Sequence, residues 1–188
     1  TDNIIYGPST KFRWSYAAAK LMDEFTALAY HRTKKLSVII IRLFNTIGSR
    51  QTGRYGMVIP RFVQQALRSE DITVYGDGSQ TRTFTYVGDV VDAITKLMVC
   101  TDAEGEVVNI GGAEEIAIKD LAERVKKLAC STSEIKLIPY DVAFTKDFEE
   151  MQRRVPSIEK IAKFIDWKPE TGLDDAINKV IEFYRVYE

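Results

Sequence analysis

The chain has 188 residues, which is the size of one domain or of part of a larger one, since domains average about 150 residues. Hydrophobic residues make up 45% of it and charged residues 28%, ordinary values for a globular fold that exclude a disordered, collagen-like or coiled-coil chain. With 26 basic and 27 acidic side chains and a formal net charge of -1, the composition indicates no nucleic-acid or membrane partner.

Two cysteines, Cys100 and Cys130, are too few for a disulfide framework and lack the spacing of a metal site, so we expect a cytoplasmic protein. No apolar run reaches the roughly 18 residues of a spanning helix, and no leader pattern opens the chain. We therefore expect a chain that is neither exported nor embedded in a membrane. The single histidine, His31, leaves no set of metal ligands, and we expect no metal.

The first predicted elements alternate between helix and strand. Good helix formers with helical apolar spacing predict a helix over 15–32, and the β-branched run over 36–44 predicts a strand covered on both faces of a parallel sheet. A helix that leads into such a strand is half of a βαβ unit. Next, residues 58–67 are predicted to form a helix with Pro60 in its first turn.

A turn cluster, GDGSQ, separates two short β-prone runs over 72–75 and 83–87, which form either a hairpin or two edge segments. Asp89 is then predicted to cap a helix over 90–99. The second half continues the alternation. Its predicted elements are a strand over 107–110, a helix over 118–128, a strand over 135–139, a helix from 157 to 165 capped by Ser157, and a helix over 176–184 preceded by a Thr171 and Asp174 capping box.

The sharpest local feature is the pair Tyr16 and Lys20, four residues apart on the first helix. This spacing places both side chains on one helical face, and a nearby ammonium favours the ionised phenol, which can then act as a base. Tyr30 and Lys34 repeat the spacing at the far end of the helix, and we interpret that second pair as a solvated helix end. The motif alone is weak because chance spacing also produces it.

Two further features follow predicted strands. Asn45 stands where the apolar strand stops, at the end of a strand where open α/β sheets bind ligands, although a turn-forming Asn is the simpler alternative. Arg82 follows the glycine turn and can pair with phosphate oxygens, with a surface salt bridge as the alternative. Arg153 and Arg154 form a second possible anion clamp or a solvated charge pair. No G-x-S-x-G motif is present, which disfavours hydrolase chemistry.

Six blocks in this order resemble the extended short-chain dehydrogenase/reductase family, which includes NAD-dependent nucleotide-sugar epimerases and dehydratases. The blocks are YGPSTKFRWSYAAAK, RLFNTIG, GMVIPRFVQQAL, ITVYGDGSQTRTFTYVGDVVDAI, VVNIGG and RRVPSIEKIAKFIDWKPETGLDDAI. The family's glycine-rich phosphate loop, ribose-binding acidic residue and catalytic Ser or Thr lie upstream of the Tyr-x-x-x-Lys helix. The resemblance therefore implies that this chain corresponds to the C-terminal portion of such an enzyme.

The resemblance also implies roles for individual residues. Tyr16 is expected to take a proton from a sugar hydroxyl while hydride passes to NAD, and Lys20 is expected to hold the nicotinamide ribose. Asn45 is expected to bind the substrate, a nucleotide-diphosphate sugar. The remaining expected substrate residues are Val58 and Pro60, which would line the nucleobase pocket, and Arg82, which would bind the diphosphate with the help of Arg153 or Arg154.

The expected fold is α/β, a partial Rossmann-like parallel sheet without its N-terminal strands, joined to a smaller α+β substrate-binding lobe. Residues 1–45 and 84–112 are assigned to the dinucleotide-binding domain, and 46–83 and 113–188 to the lobe. The expected function is modification of a nucleotide sugar through a 4-keto intermediate, with an epimerase preferred. The alternatives are a dehydratase, a decarboxylase or a non-catalytic sugar-nucleotide-binding fragment, and the resemblance implies a homodimer.

Overall fold

A computed structural model describes residues 7–52, 57–143 and 149–187. They form an α/β structure of six helices and nine short strands, with single turns of 3-10 helix at Thr101–Ala103 and Ile161–Lys163. The helices are α1 (Arg13–Lys34), α2 (Val58–Leu67), α3 (Val87–Met98), α4 (Ile118–Leu128), α5 (Tyr140–Ala143) and α6 (Leu173–Tyr187). The strands are β1 (Ile40–Leu43), β2 (Thr46–Ile47), β3 (Ile72–Tyr75), β4 (Thr81–Arg82), β5 (Thr85–Tyr86), β6 (Val107–Ile110), β7 (Ile116–Ala117), β8 (Ile135–Ile138) and β9 (Arg153–Arg154).

The described strands pair mostly in parallel. Three parallel pairs, β1 with β6, β2 with β5 and β3 with β8, each join strands that are distant in sequence, and helices fill the intervening chain as parallel crossovers require. In a fourth sheet, β4 lies between β7, which is antiparallel to it, and β9, which is parallel. The runs at 72–75 and 83–87 therefore do not form a hairpin, because β3 pairs with β8 and β5 pairs with β2.

The larger core forms where α2, α4 and α6 pack against β3. On α2 the buried residues Ile59, Phe62, Val63 and Ala66 follow the i, i+3, i+4, i+7 spacing of one helical face. Phe62 is fully buried. This core fixes the first turn of α2 and the carboxyl end of β3, the two elements that border the cavity described below.

A second core forms between α3 and β6, where Val90, Ala93 and Leu97 of the helix meet Val108 and Ile110 of the strand. The chain after β9 completes this core. It contributes Ile161 and Trp167, both buried. Part of the region assigned to the substrate-binding lobe thus packs with β6, and the proposed domain division stays a prediction.

Asp89 does not cap a helix that starts after it, because α3 begins two residues earlier, at Val87. Its carboxylate instead accepts hydrogen bonds from the Thr171 backbone N–H at 2.9 Å and the Thr171 hydroxyl at 3.0 Å. The Asp89 carbonyl accepts a third, from Trp167 Nε1 at 3.0 Å. The prediction of an Asp89 cap was therefore wrong, and the residue links α3 to the approach to α6.

The helix predicted from 157 to 165 was also wrong, since only the 3-10 turn Ile161–Lys163 forms there. Asn109 on β6 donates its side-chain amide to the Ser157 carbonyl at 3.1 Å, an oxygen that a helix would use internally. Ile161 and Trp167 are both buried in the core that includes β6. Tertiary packing here overrides helix propensity.

Helix α1 lies on the surface and none of its residues is buried. Arg42 of β1 donates two hydrogen bonds, of 2.7 and 2.6 Å, to the Glu24 carboxylate and so ties the helix to the strand. The helix ends at Lys34, and its C-cap residue, Lys35, has a left-handed φ of 57°. None of the described helices combines the length and the apolarity needed to cross a membrane.

Candidate functional site

A cavity of about 420 Å³ opens where β2, the first turn of α2 and the glycine turn after β3 converge. Its walls come from both polar and apolar side chains. The lining residues are Asn45, Thr46, Ile47, Gln51, Met57, Val58, Ile59, Pro60, Arg61, Tyr75, Gln80, Arg82, Phe84, Ile118, Glu150 and Arg154. Five of the eight site residues expected from the sequence lie in this wall: Asn45, Val58, Pro60, Arg82 and Arg154.

The turn between β3 and β4 presents Arg82 to the cavity. Gly76 and Gly78 adopt φ values of 71° and 76°, which are left-handed and suit glycine. Asp77 closes the turn by accepting hydrogen bonds from the Ser79 backbone N–H at 2.9 Å and the Ser79 hydroxyl at 2.7 Å, and these bonds lower the pKa of the Asp77 carboxyl. The interpretation of GDGSQ as a tight turn is confirmed.

The Arg82 side chain is 13% exposed and held by three neighbours. Its Nη1 donates to the Thr81 carbonyl at 2.8 Å and more weakly to the Gln152 carbonyl at 3.4 Å. Its Nη2 forms an ion pair with the Glu150 carboxylate, whose side chain is 25% exposed. A guanidinium fixed in this way can present its remaining hydrogens to an anion in the cavity.

Arg153 and Arg154 of β9 diverge because successive strand residues point to opposite faces. Arg154 lines the cavity, with its guanidinium 5.7 Å from the centre of the Phe44 ring. The residue is exposed overall, but partial desolvation by its neighbours lowers its pKa, and the charges of Arg82 and Arg13 lower it further. Arg153 lies outside the cavity wall and donates two hydrogen bonds of 2.9 Å to Glu115. The structure therefore brings Arg154, and not Arg153, together with Arg82.

Arg61 is a cavity residue that the sequence analysis missed. Its guanidinium stacks 4.2 Å from the centre of the Tyr75 ring and donates to the Thr73 carbonyl at 3.1 Å. Burial lowers its pKa, while Tyr75 acts in the opposite direction. A signal was available, because Arg61 directly follows Pro60 in the first turn of α2, where a polar residue interrupts the buried face.

Asn45 lines the cavity and has a left-handed φ of 28°. Its side-chain Nδ2 donates to the Thr83 carbonyl at 2.7 Å, which joins the end of β1 to the segment between β4 and β5. That bond uses the amide nitrogen of Asn45. The turn interpretation and the substrate interpretation are thus compatible, since the carbonyl oxygen is a second functional group.

Some buried polar atoms in the wall have no protein partner within the described part of the chain. They include Thr46 Oγ1 and Gln51 Oε1. A buried oxygen without a hydrogen bond is unfavourable unless water or a ligand supplies the partner. These two atoms give the cavity hydrogen-bonding capacity beyond its arginines.

Tyr16 and Lys20 do not line the cavity. Tyr16 is 71% exposed on α1, and the Lys20 ammonium lies 6.0 Å from the centre of its ring. Lys20 donates to the Asp23 carboxylate at 2.8 Å, and this hydrogen bond raises the pKa of Lys20.

Comparison with known proteins extends over nearly the whole chain. A sequence model of the family described as GDP-mannose 4,6 dehydratase matches residues 8–180. The chain is 37% identical over its full 188 residues to UDP-N-acetyl-alpha-D-glucosaminuronate decarboxylase of Bacillus cytotoxicus, and covers 58% of that protein. It is 36% identical over 172 residues to UDP-glucuronic acid decarboxylase 1 of Danio rerio, and covers 39% of it.

The fold is also similar to that of solved enzymes. The crystal structure of UDP-glucuronic acid 4-epimerase from Bacillus cereus in complex with NAD matches 92% of this chain with a TM-score of 0.78 and 26% identity. The chain covers 53% of that structure. It thus spans about half the length of the proteins it resembles, and the Rossmann-like α/β class expected from the sequence is confirmed.

Proposed function

We propose that the cavity of this chain, which belongs to the GDP-mannose 4,6-dehydratase family of extended short-chain dehydrogenase/reductases, binds the nucleotide diphosphate of a UDP-sugar. The proposed reaction is NAD-dependent oxidation of the sugar at C4. The observation that carries the proposal is that Arg82 and Arg154 line the same cavity as Asn45. The largely buried Arg82 and the more exposed Arg154 together favour a ligand with at least two negative charges. A diphosphate supplies them.

Other residues of the cavity wall suit a planar base. Val58, Pro60 and Phe84 offer apolar surface, and the stacked Arg61 and Tyr75 offer a cation and a ring beside it. A uracil ring needs apolar contact on its faces and hydrogen-bond donors for its carbonyl oxygens, and Arg61 carries such donors. We assign the base to this end and the diphosphate to Arg82.

We place the sugar and the nicotinamide at Tyr16 and Lys20, which lie outside the cavity wall. Both side chains are accessible and they share a helical face. NAD, when bound, supplies a hydride acceptor. In our proposal Tyr16 Oη takes the proton from the sugar 4-hydroxyl, and Lys20 donates a hydrogen bond to the nicotinamide ribose.

The outcome after oxidation decides between two reactions that share the 4-keto sugar. The sequence alone favoured epimerisation, but the curated relatives described above carry decarboxylase names, and we therefore place decarboxylation of a UDP-uronic acid first. A ketone at C4 is β to the carboxylate on C5, an arrangement that loses carbon dioxide readily. Epimerisation at C4 is the second candidate, supported by the UDP-glucuronic acid 4-epimerase fold match.

Titration calorimetry with UDP tests the binding part of the proposal. Arg82→Ala should weaken UDP binding by about tenfold or more, because a charge-assisted hydrogen bond to phosphate is lost. Arg153→Ala is the matched control, since Arg153 pairs with Glu115 outside the cavity and its loss should leave UDP binding unchanged. Equal weakening by both variants, or no UDP binding by the wild type, would reject the assignment.

Catalysis is tested in a polypeptide that joins this chain to a dinucleotide-binding half. UDP-glucuronic acid should be consumed, and product analysis separates a pentose from a C4 epimer. Tyr16→Phe should abolish turnover while UDP-sugar affinity stays within about twofold, because the phenol acts on the proton and not on the diphosphate. Binding of UDP-sugar by the 188-residue chain without any binding of NAD would favour the non-catalytic alternative for the chain itself.

A further inference from the structure

The described residues of the cavity wall include three arginines, Arg61, Arg82 and Arg154, but a single carboxylate, Glu150. That carboxylate pairs directly with Nη2 of Arg82, whose side chain is 13% exposed. Its Oε1 also accepts the Met151 backbone N–H at 3.0 Å.

Arg82 already serves one anion. Its Nη1 is engaged by the Thr81 carbonyl at 2.8 Å and its Nη2 by the Glu150 carboxylate, so Nε and the second hydrogen of Nη2 remain for a ligand. A diphosphate that approached Nη2 would therefore meet the Glu150 carboxylate on the same nitrogen. They are also like charges, and their repulsion is strong in a partly buried site, where the effective dielectric constant is low.

We propose that Glu150 competes with the ligand for Arg82. The Glu150 carboxylate occupies the phosphate position in the free protein and is displaced when a diphosphate binds. The inference rests on the proposed function and adds a residue that sets the specificity of the site. A ligand must carry enough phosphate charge to replace Glu150, so uridine or a monoanion gains nothing from Arg82, whereas a diphosphate does.

The surroundings of Glu150 allow this exchange. It lies outside any helix or strand, and its side chain is partly exposed, so it can rotate toward solvent. Arg82 pairs with it directly, and its charge also acts on Arg154 and Tyr140. Burial raises the pKa of Tyr140, and the Glu150 charge raises it further, so the neutral phenol adds no negative charge beside Glu150.

The test measures binding of UDP and of uridine by calorimetry to the 188-residue chain. Glu150→Gln removes the competing charge and should tighten UDP binding by about tenfold while uridine affinity stays unchanged. Glu115→Gln is the control, since Glu115 pairs with Arg153 outside the cavity, and it should alter neither affinity. Glu150→Asp withdraws the carboxylate by one methylene and should tighten UDP binding by a smaller factor.

Each result has one meaning. Tighter UDP binding in both Glu150 variants, with uridine unaffected, supports competition. Unchanged or weaker UDP binding in a folded Glu150 variant overturns it, because Glu150 would then position Arg82 for the ligand. If Glu150→Gln does not fold, Glu150→Asp decides alone. A wild-type chain that does not bind UDP rejects the proposed function itself, and the inference with it.

Discussion

The ε-ammonium of Lys20 lies 6.0 Å from the centre of the Tyr16 ring and donates a 2.8 Å hydrogen bond to the Asp23 carboxylate. In this state Lys20 is committed to Asp23 more than to Tyr16. A residue expected to hold a ribose thus has an acidic neighbour one helical turn away, which raises the pKa of its ammonium.

Replacing Asp23 by Asn should lower the pKa of Lys20, because the hydrogen bond and the nearby negative charge are both lost. A raised lysine pKa stabilises the folded protein at pH values below the unperturbed lysine pKa, and this stabilisation disappears as the pH rises through the raised pKa. The substitution should therefore lower the free energy of unfolding only at pH values below the raised pKa. NMR titration of the lysine ε-carbons measures the shift. Asp92→Asn, which affects Lys96 on α3, should leave Lys20 unchanged.

Replacing Asp89 by Ala should lower the free energy of unfolding by about 1–2 kcal/mol, because two hydrogen bonds to Thr171 are lost in a partly buried position. Asp92→Ala is the matched control on the same helix. It breaks only an exposed pair with Lys96 and should have no measurable effect. Urea denaturation provides both values, and equal effects would show that Asp89 does not join α3 to the carboxyl-terminal region.

Phe62 lies at the centre of the larger core and is fully buried. Phe62→Ala should lower the free energy of unfolding by about 3–5 kcal/mol, because apolar contacts are lost and a void remains. Phe25 on α1 is 58% exposed, and Phe25→Ala should cost far less. Similar denaturation midpoints for the two variants would mean that the core is not packed as described.

Helix α1 exposes large apolar side chains, among them Met22 and Phe25, which lie one turn apart. Exposed apolar surface of this kind favours association, so we expect the chain to self-associate. Sedimentation should show a larger monomer fraction after Met22→Glu and Phe25→Glu together. Val186→Glu, at an exposed site on α6, should not change the fraction. A wild-type monomer at all concentrations would contradict this prediction.

Sequence patterns predicted the regular elements well where periodicity and local signals agreed. The helices Val58–Leu67 and Ile118–Leu128 and the strands Ile72–Tyr75 and Val107–Ile110 have the bounds that their apolar spacing predicts. The local pattern failed where a side chain forms hydrogen bonds to a residue that is distant in the sequence. Asp89 resembles a cap but bonds Thr171, 82 positions later, and no neighbouring residue indicates this.

Only part of the cavity wall was predicted from the sequence. Asn45, Val58, Pro60, Arg82 and Arg154 were found through short motifs and family resemblance. Glu150 was missed because its role depends on pairing between β4 and β9, which brings together residues 68 positions apart. Strand alternation explains why Arg154 and not Arg153 lines the cavity, but the sequence alone does not show which face of β9 is turned inward.

Position 45 has two structural requirements. Its backbone is left-handed, a conformation that most side chains avoid, and its side-chain amide donates a hydrogen bond to the Thr83 carbonyl. Glycine would satisfy the first demand and lose the second, while glutamine would strain the first. Divergent copies of this protein would therefore retain asparagine here even where their sugars differ. An invariant asparagine at this place would be poor proof of contact with a sugar, because the architecture alone is enough to preserve it.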